Sequence, residues 1–304
     1  MQNKPIRLLI WGGGLNFRRA LPLLRSREQS GEIQIVGVVD HIRPESGLIN
    51  GYPHIMPKDI PVQDYDFLQT FSPKNKREIR DEYMKIPGID RGKFIDHVFP
   101  ELDMEKYGQL VNDRPTIFSS SCWGGLIYYH LGMECFSPFK NLWIHETDFL
   151  KFLHDPRGYM AEDPVPDHMR RAQTKHDVDL FPVFRLGDIA INCNHSQSME
   201  EAISDWLRRR KRINWDFTLA QMNTRIHSSE REFNLIDTVD RKICMVPYKT
   251  TEPYSVQIPQ NADEESIWRM NVNATAFPFN NPIDIYSLFY GEWKDNPCYD
   301  HKHA

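Results

Sequence analysis

The chain is poor in cysteine, with five in 304 residues, and these are widely spaced and form no CxxC motif. A disulfide framework usually needs an even set of cysteines in a short secreted chain, and a zinc ribbon needs paired CxxC elements. Residues 1–10 lack the basic and then apolar layout of a signal peptide. We therefore expect five free thiols, no metal site and a cytoplasmic protein.

The chain also lacks a long apolar run and a basic excess. The longest apolar stretch, around Gly124 to Leu131, contains His130 and is far too short to span a membrane. Lysine and arginine number 37 against 42 aspartate and glutamate residues, so the net charge is −5 at pH 7. Nucleic-acid-binding proteins usually carry a broad basic surface. We expect no membrane span and no nucleic-acid partner, and composition predicts no particular oligomeric state.

Apolar residues are plentiful enough for sizeable cores, since 40% of the chain is hydrophobic and 12% is aromatic. A domain holds about 150 residues on average, so the length suggests two domains. Apolar strands alternate with amphipathic helices in both halves, which is typical of α/β proteins. We predict an N-terminal Rossmann-like parallel sheet in residues 1–107 and a second α/β domain in residues 108–304.

The first domain begins with a βαβ pattern, in which the strands Ile6–Trp11 and Ile33–Val39 flank a helix. Glycines follow the first strand and an aspartate follows the second. In nucleotide-binding domains such glycines bring phosphate to a helix N-terminus, and the acid binds a ribose hydroxyl. The candidate cofactor-binding residues are Gly12, Gly13, Gly14 and Asp40.

The dinucleotide fingerprint lacks its third glycine. Aligning G-x-G-x-x-G on Gly12 and Gly14 puts Phe17 in the third position, where a ring would separate helix and strand or block the pyrophosphate. The layout is similar to truncated Rossmann-like modules at the front of polysaccharide-pathway enzymes. Two hypotheses stay open, namely a site for a nucleotide or acyl-CoA and a tight turn in a domain that binds no nucleotide.

Cys122 lies where the predicted strand Thr116–Ser119 turns into a helix. A helix N-terminus favours a thiolate, and the turn resembles a nucleophile elbow without the G-x-S-x-G sequence. We identify Cys122 as the candidate nucleophile; the alternative is a small packed cysteine. The glycines after it would let a ligand approach the backbone. The adjoining candidate substrate-binding residues are Trp123, Gly124 and Gly125.

Two histidines, His145 and His195, each close a predicted strand. In Rossmann-like sheets the carboxyl ends of strands face the ligand crevice, so both are candidate catalytic residues, with a structural histidine as the alternative. Cys193 and His195 offer only two metal ligands, too few for a site. Asp148 and Asp188 are candidate substrate-binding residues, or else a helix cap and a turn residue.

The segment Ser198–Lys211 has a capping box and predicts the clearest helix of the chain. Arg209 and Arg210 flank its apolar face, and each guanidinium needs either an acidic partner in the protein or a phosphate of a ligand. Asn214 and Trp215 follow directly. They could bind a sugar by hydrogen bonds and stacking, or they could form a packed turn.

Four motifs occur in order: Ser121-Cys-Trp-Gly-Gly125, Ser137-Pro-Phe-Lys-Asn-Leu-Trp143, Leu186-Gly-Asp-Ile189 and the stretch from Trp206 to Asp216. In order and spacing they resemble a bacterial family, a domain of unknown function whose members are often described as exopolysaccharide-biosynthesis proteins. The resemblance covers about residues 115–250. It implies a surface-glycan pathway and supplies no reaction.

Together these features predict an enzyme of surface-polysaccharide biosynthesis that transfers an acyl or glycosyl group to a sugar or sugar nucleotide. The expected partners are a small-molecule sugar, a nucleotide or an acyl donor. The alternative is a non-catalytic binding or assembly protein whose Rossmann-like domain is a scaffold. An enzyme should gather Cys122, a histidine and Arg209 or Arg210 around one cleft, whereas a scaffold should bury or scatter them.

Overall fold

The computed structural model describes residues 4–173, 178–239, 241–258, 274–276 and 278–291. The N-terminal part forms one sheet with two helices. Its strands are β1 (Ile6–Trp11), β2 (Ile33–Val39), β3 (Leu48–Ile49), β4 (Tyr52–Ile55), β5 (Phe67–Thr70) and β6 (Phe94–Ile95), and its helices are α1 (Leu15–Gln29) and α2 (Lys76–Tyr83). The strand order is β3-β4-β2-β1-β5-β6.

Every pairing in this sheet is parallel except that of β3 with β4. The expectation of a Rossmann-like parallel sheet is confirmed. Pro22 lies inside α1, and the helix runs on to Gln29. Burial of Phe17, Ala20 and Leu24 on one face stabilises α1 more than the one hydrogen bond lost at Pro22 weakens it.

The second part of the chain forms two four-stranded sheets. Its strands are β7 (Thr116–Ser119), β8 (Trp143–Ile144), β9 (Val165–Gln173), β10 (Val178–Leu186), β11 (Ile189–Asn192), β12 (Thr218–Asn223), β13 (Arg241–Val246) and β14 (Ser255–Gln257). Its helices are α3 (Met104–Asp113), α4 (Trp123–Leu131), α5 (Glu146–His154), α6 (Pro156–Ala161), α7 (Met199–Arg210), α8 (His227–Leu235) and α9 (Ile285–Tyr290). One sheet is parallel, in the order β14-β13-β12-β7, and the other is antiparallel, in the order β8-β11-β10-β9.

The parallel sheet is buried on both faces, as its nearly continuous apolar strands require. Side chains alternate along a strand, so Phe118 enters one core cluster and its neighbour Ile117 enters another. The first cluster also holds apolar residues of α5, α7 and α8, and the second holds those of α4 and α9. Polar residues are therefore confined mainly to the ends of these strands.

The polar segment 101–113 contains α3. Asp103 caps this helix by accepting hydrogen bonds from the backbone N–H groups of Glu105 (3.0 Å) and Lys106 (3.1 Å). Leu110 is fully buried in the core that also contains α4 and α9. One buried face and a good cap are thus enough to form a helix in a polar segment.

A buried hydrogen-bond network joins the N-terminal sheet to the second part of the chain. The Gln69 amide donates to the carbonyl oxygens of His97 (2.9 Å) and Phe99 (2.8 Å). His97 Nδ1 accepts from the Phe99 N–H (3.2 Å), so Nε2–H is the nitrogen that donates to the Tyr286 hydroxyl (3.1 Å). Burial lowers the pKa of His97 to about 3, and the ring is therefore neutral in the folded protein.

Glu101 places a carboxyl group in the same junction. Both of its oxygens are buried, and the backbone N–H groups of Glu101 itself and of Ile285 are the donors that favour its charged form. Burial raises the pKa of Glu101 to about 8, the nearby Asp284 carboxylate raises it further and Arg27 opposes the shift. The folded protein thus holds a protonated glutamic acid at neutral pH.

We expect the Glu101→Gln variant to gain stability relative to the wild type as the pH rises. Between the ordinary pKa of 4.5 and about 8, the unfolded chain has lost a proton that the folded protein keeps. The contribution of Glu101 to stability is therefore complete below pH 4.5 and is lost as the pH rises towards 8. Urea unfolding at about pH 5, 6.5 and 8.5 measures the difference. The exposed Glu105→Gln is the control, and equal pH dependence of all three proteins would contradict the assignment.

Candidate active site

The carboxyl ends of β7 and β12 lie side by side and are locked together by polar side chains. Ser119 is opposite Gln221 in the parallel register, and its hydroxyl donates to the Gln221 side-chain oxygen at 2.6 Å. The Ser120 hydroxyl donates to the Asn223 side-chain oxygen at 3.1 Å. These bonds fix the turn between β7 and α4, and Cys122 is part of that turn.

Cys122 meets His195 across this turn. The Cys122 Sγ atom is 3.4 Å from His195 Nε2 and 4.0 Å from the carbonyl oxygen of Leu142. The thiol is half-buried and the imidazole is exposed. His195 follows β11, so the antiparallel sheet delivers the histidine to a cysteine 73 residues away in sequence. The thiol can donate its proton to Nε2, which assigns the imidazole proton to Nδ1.

The Cys122 thiol is not a helix-stabilised thiolate. Burial raises the pKa of Cys122, and only the neighbouring Asn194 side chain opposes that shift. We expected the α4 dipole to favour the thiolate, but desolvation outweighs it at this position. Cys122 is the N-cap of α4 and makes no side-chain capping bond. The sulfur therefore needs a base to become nucleophilic, and His195 is in contact with it.

The cysteines of the described chain are free thiols, namely Cys122, Cys135, Cys193 and Cys244. Burial raises the pKa of each of them. The expectation of free thiols is confirmed for these four, and Cys298 lies outside the described residues. Among them, the hydrogen bonds of the structure pair only Cys122 with a histidine.

His145 lies near the same edge of the sheet but has a different role. It is the N-cap residue of α5, and its Nδ1 atom is 3.0 Å from the Thr147 hydroxyl. The neighbouring Ile144 N–H donates to the Ser120 carbonyl at 3.2 Å, which brings this segment beside the turn. The ring is exposed and makes no hydrogen bond to Cys122. Of the two candidate histidines, the geometry pairs His195 with the thiol.

Asp148 and Asp188 attach α5 to the β10–β11 hairpin. Asp148 accepts a hydrogen bond from the Ala190 N–H at 3.0 Å. Asp188 accepts from the Lys151 ammonium and from the Tyr159 hydroxyl, both at 2.6 Å. These bonds give both carboxylates partners within the protein. Asp188 lies in the β10–β11 turn, as its alternative proposed, whereas Asp148 bonds β11 and does not cap α5, whose N-cap is His145.

The Trp-Gly-Gly segment packs the first turn of α4 against β7. Trp123 is fully buried. A Cβ atom on Gly124 would lie 3.0 Å from Ile117 Cγ2, and one on Gly125 would lie 2.6 Å from the Asn141 side-chain oxygen. The glycines are needed for this close packing. The space beside them is filled by protein atoms, contrary to the ligand approach that we expected.

Arg209 and Arg210 both find partners within the protein. Arg209 forms an ion pair with Asp205, one turn earlier in α7. Arg210 donates to the carbonyl oxygen of Glu162 at 2.6 Å and pairs with Asp163 at 3.2 Å. Of the two alternatives left open by the sequence, the acidic partner in the protein is the one observed, so neither guanidinium depends on a ligand phosphate.

Asn214 and Trp215 lie at the edge of the parallel sheet opposite Cys122. The Asn214 N–H donates to the Thr116 hydroxyl at 2.8 Å, and its side-chain amide donates to the Asp113 carbonyl at 2.7 Å. Thr116 and Thr218 begin β7 and β12, whereas Cys122 follows the carboxyl end of β7. The two residues therefore do not join the thiol in one cleft.

The glycine turn of the N-terminal sheet borders a cavity of about 460 Å³. The order of the sheet reverses around β1, and a crevice beyond the carboxyl ends of such strands is the usual ligand site. Gly12, Gly14 and Asp40 line the cavity, and Asp40 also accepts a hydrogen bond from the Gly13 N–H at 3.4 Å. The Phe17 side chain is buried in the core beneath it.

The lining of this cavity is acidic. Glu78 and Glu82 face it together with Asp40, and the residues that line it include neither lysine nor arginine. His41 also lines the cavity, but its Nε2 atom is 3.1 Å from the Glu82 carboxylate. This lining offers a phosphate the backbone N–H groups at the amino end of α1 and no basic side chain.

Within the ranges that the structure describes, no group of three or more His, Cys, Asp or Glu side chains could hold a metal ion. In the same ranges, no helix is both long enough and apolar enough to cross a membrane.

Several polar residues at the thiol's edge were missed by the sequence reasoning. Besides Ser120 and Asn223, Glu146 is buried and accepts a short hydrogen bond of 2.5 Å from the Thr224 hydroxyl. Asn194 precedes the histidine and acts on the thiol. The sequence does show that polar residues end β7 and β12, two strands whose interiors are apolar. This pattern indicates a shared polar edge only once the two strands are known to be neighbours.

The fold and this site define an α/β protein with a cysteine–histidine pair near the carboxyl edge of a parallel sheet. The family model described as "Domain of unknown function (DUF1919)" matches residues 95–289, and the chain belongs to this family. The match includes both Cys122 and His195 and leaves the glycine turn outside. The four sequence motifs therefore did indicate a domain family of unknown function.

A relative from Haemophilus influenzae, described as an uncharacterized protein, is 29% identical to this chain over 134 residues. The alignment covers 44% of this chain and 61% of that protein. The chain thus spans less than two thirds of the relative's length.

Proposed function

We propose that this protein is an acyltransferase of surface-polysaccharide biosynthesis that carries the acyl group on Cys122. The observation that supports the proposal is the 3.4 Å contact between Cys122 Sγ and His195 Nε2. A nucleophile within hydrogen-bond reach of a base is the arrangement that covalent acyl transfer needs. The exposed histidine lets substrate reach the pair from solvent.

In the first half of the reaction, His195 Nε2 takes the thiol proton as Sγ attacks the carbonyl carbon of the acyl donor. The bond to the leaving group breaks, and the leaving group takes the proton from the imidazolium, so a thioester and a neutral histidine remain. In the second half, an acceptor hydroxyl loses its proton to Nε2 and attacks the thioester. The product ester forms, and the proton returns to sulfur.

The amino end of α4 supports this chemistry. The first backbone N–H groups of a helix have no acceptor within the helix, and Cys122 provides no side-chain cap for α4. These groups give the turn a partial positive charge beside the sulfur. An oxyanion formed at the thioester carbon would be stabilised by that charge.

Glycosyl transfer is a weaker candidate at this site. Carboxylate-dependent glycoside chemistry uses a pair of carboxyl groups on either side of the sugar bond. Near the thiol, Glu146 is buried and already bound to Thr224. The proposal of a sugar acceptor rests on the resemblance to proteins described as acting in exopolysaccharide biosynthesis. A non-catalytic scaffold is the rival, and it would leave the cysteine–histidine contact without a function.

Release of CoA from an acyl-CoA donor, followed by chromatography, tests the proposal. We expect release that depends on a sugar or nucleotide-sugar acceptor. The His195→Asn variant should slow it at least about 100-fold, because general base catalysis contributes about 10²- to 10⁴-fold. His168→Asn, which changes an exposed histidine on β9, is the matched control. Equal rates in the two variants would contradict the role of His195.

A further inference from the structure

A second cavity, of about 280 Å³, opens at the edge of the parallel sheet opposite Cys122. Phe118 and Thr218 contribute to its lining from β7 and β12, and Trp215 lines it from the turn just before β12. Arg157 of α6 closes the cavity on its outer side. The cavity is about large enough for one sugar ring.

Arg157 supplies an unused cation to this cavity. Its guanidinium carbon is 4.5 Å from the centre of the Trp215 ring, and the side chain is exposed. Arg157 makes no side-chain hydrogen bond or ion pair with any other described residue. Stacking on an indole holds the guanidinium plane in place and leaves its N–H groups free for a planar anion.

Thr218 supplies a second unused polar group. The residue is only 4% exposed, yet its side chain lines the cavity, and its hydroxyl makes no hydrogen bond within the described chain. The hydroxyl is open to the cavity, so a ligand oxygen can bind it in place of solvent. The floor beside it is the fully buried ring of Phe118.

The other polar side chains of the cavity are already engaged. Asp155 accepts a hydrogen bond from the Gly158 N–H at 2.9 Å as the cap of α6. His154 Nε2 is 3.1 Å from the Glu232 carboxylate. The Thr238 hydroxyl donates to a backbone carbonyl. The free groups are therefore one guanidinium and one hydroxyl, next to an apolar wall.

We propose that this cavity binds one carboxylate-bearing sugar residue, of the uronic-acid class. Arg157 receives the carboxylate, Thr218 bonds a ring or hydroxyl oxygen, and the aromatic wall contacts the apolar face of the sugar. This is a binding site separate from the cysteine–histidine pair. Binding at this cavity can be measured without catalysis. A result that contradicts the sugar site is therefore distinguishable from one that contradicts the acyltransferase proposal.

Isothermal titration of the full chain with D-glucuronate, D-glucose and inorganic phosphate tests the site. We expect glucuronate to bind at least about 10-fold more tightly than glucose, because only glucuronate has a carboxylate that forms a charge-assisted hydrogen bond with Arg157. Arg157→Gln should weaken glucuronate binding at least about 10-fold. Arg171→Gln, which removes an exposed arginine on β9, should leave the affinity unchanged.

A further variant, Thr218→Val, keeps the shape of the side chain and removes only the hydroxyl, so it should weaken glucuronate but not phosphate. Cys122→Ala should bind glucuronate as the wild type does. Equal affinity for glucose and glucuronate would overturn the proposal. So would phosphate binding as tight as that of glucuronate, or an Arg157→Gln protein that melts normally and retains full affinity.

Discussion

Replacing Cys122 by alanine is expected to abolish acceptor-dependent CoA release, leaving less than about one thousandth of the wild-type rate. The sulfur is the only atom that can carry the acyl group in the mechanism, and loss of a covalent nucleophile removes the pathway entirely. The thiol is half-buried, so its removal should leave the melting temperature nearly unchanged. A cysteine that only packs would behave in the opposite way, with about 1 to 3 kcal/mol of lost stability and unchanged ligand binding.

The control for this prediction is Cys135→Ala. Cys135 is also half-buried, and burial raises its pKa as it does for Cys122. Its sulfur donates to the Ser137 carbonyl at 3.4 Å instead of meeting a histidine. The two variants therefore remove the same group from similar surroundings. Comparable turnover in both would contradict the assignment of Cys122.

Replacing Lys76 by alanine should lower the free energy of unfolding by about 2 to 5 kcal/mol, the usual cost of truncating a long, fully buried side chain to alanine. Lys76 is 2% exposed and its ammonium is 2.9 Å from an Asp96 carboxylate oxygen. It also donates to the Tyr129 carbonyl and lies 4.3 Å from the centre of the Tyr129 ring. The side chain thus joins α2 of the N-terminal sheet to α4, whereas Asp96 would keep its second cation, Arg80, at 3.2 Å.

Urea unfolding at pH 7 measures this change. The matched control is Lys74→Ala, which removes an exposed lysine just before α2 and should change stability by less than about 0.5 kcal/mol. If the two variants have the same midpoint, Lys76 does not hold the two parts of the chain together.

Much of the fold could be predicted from the sequence, because buried parallel strands have a strong local signal. The apolar runs at Ile6–Trp11 and Ile33–Val39 match β1 and β2 in full. Elements with a polar composition were missed, as with α3 and the edge strand β9. Helix α3 depends on one buried residue and its cap, and β9 depends on its single neighbouring strand. Neither feature produces a periodic pattern of apolar residues in the sequence.

The candidate site could be predicted only in part. Strand-end position and residue type were enough to select Cys122 and His195 as candidates. Choosing His195 over His145 required the packing of the antiparallel sheet against β7, which sequence spacing does not contain. The partners of Arg210 could not be predicted either, because they come from the segment before β9. The Asp205 partner of Arg209, one turn earlier in the same helix, could have been read from the sequence.

The most direct test of the cysteine–histidine site is mass spectrometry of the protein after incubation with an acyl-CoA donor and an acid quench. Acid preserves a thioester, so the wild type should gain one acyl group on the peptide that contains Cys122, and hydroxylamine should remove it. Cys135→Ala should give the same adduct, and His195→Asn should form it far more slowly. No adduct with any acyl donor tested, or one that persists in Cys122→Ala, would contradict the account.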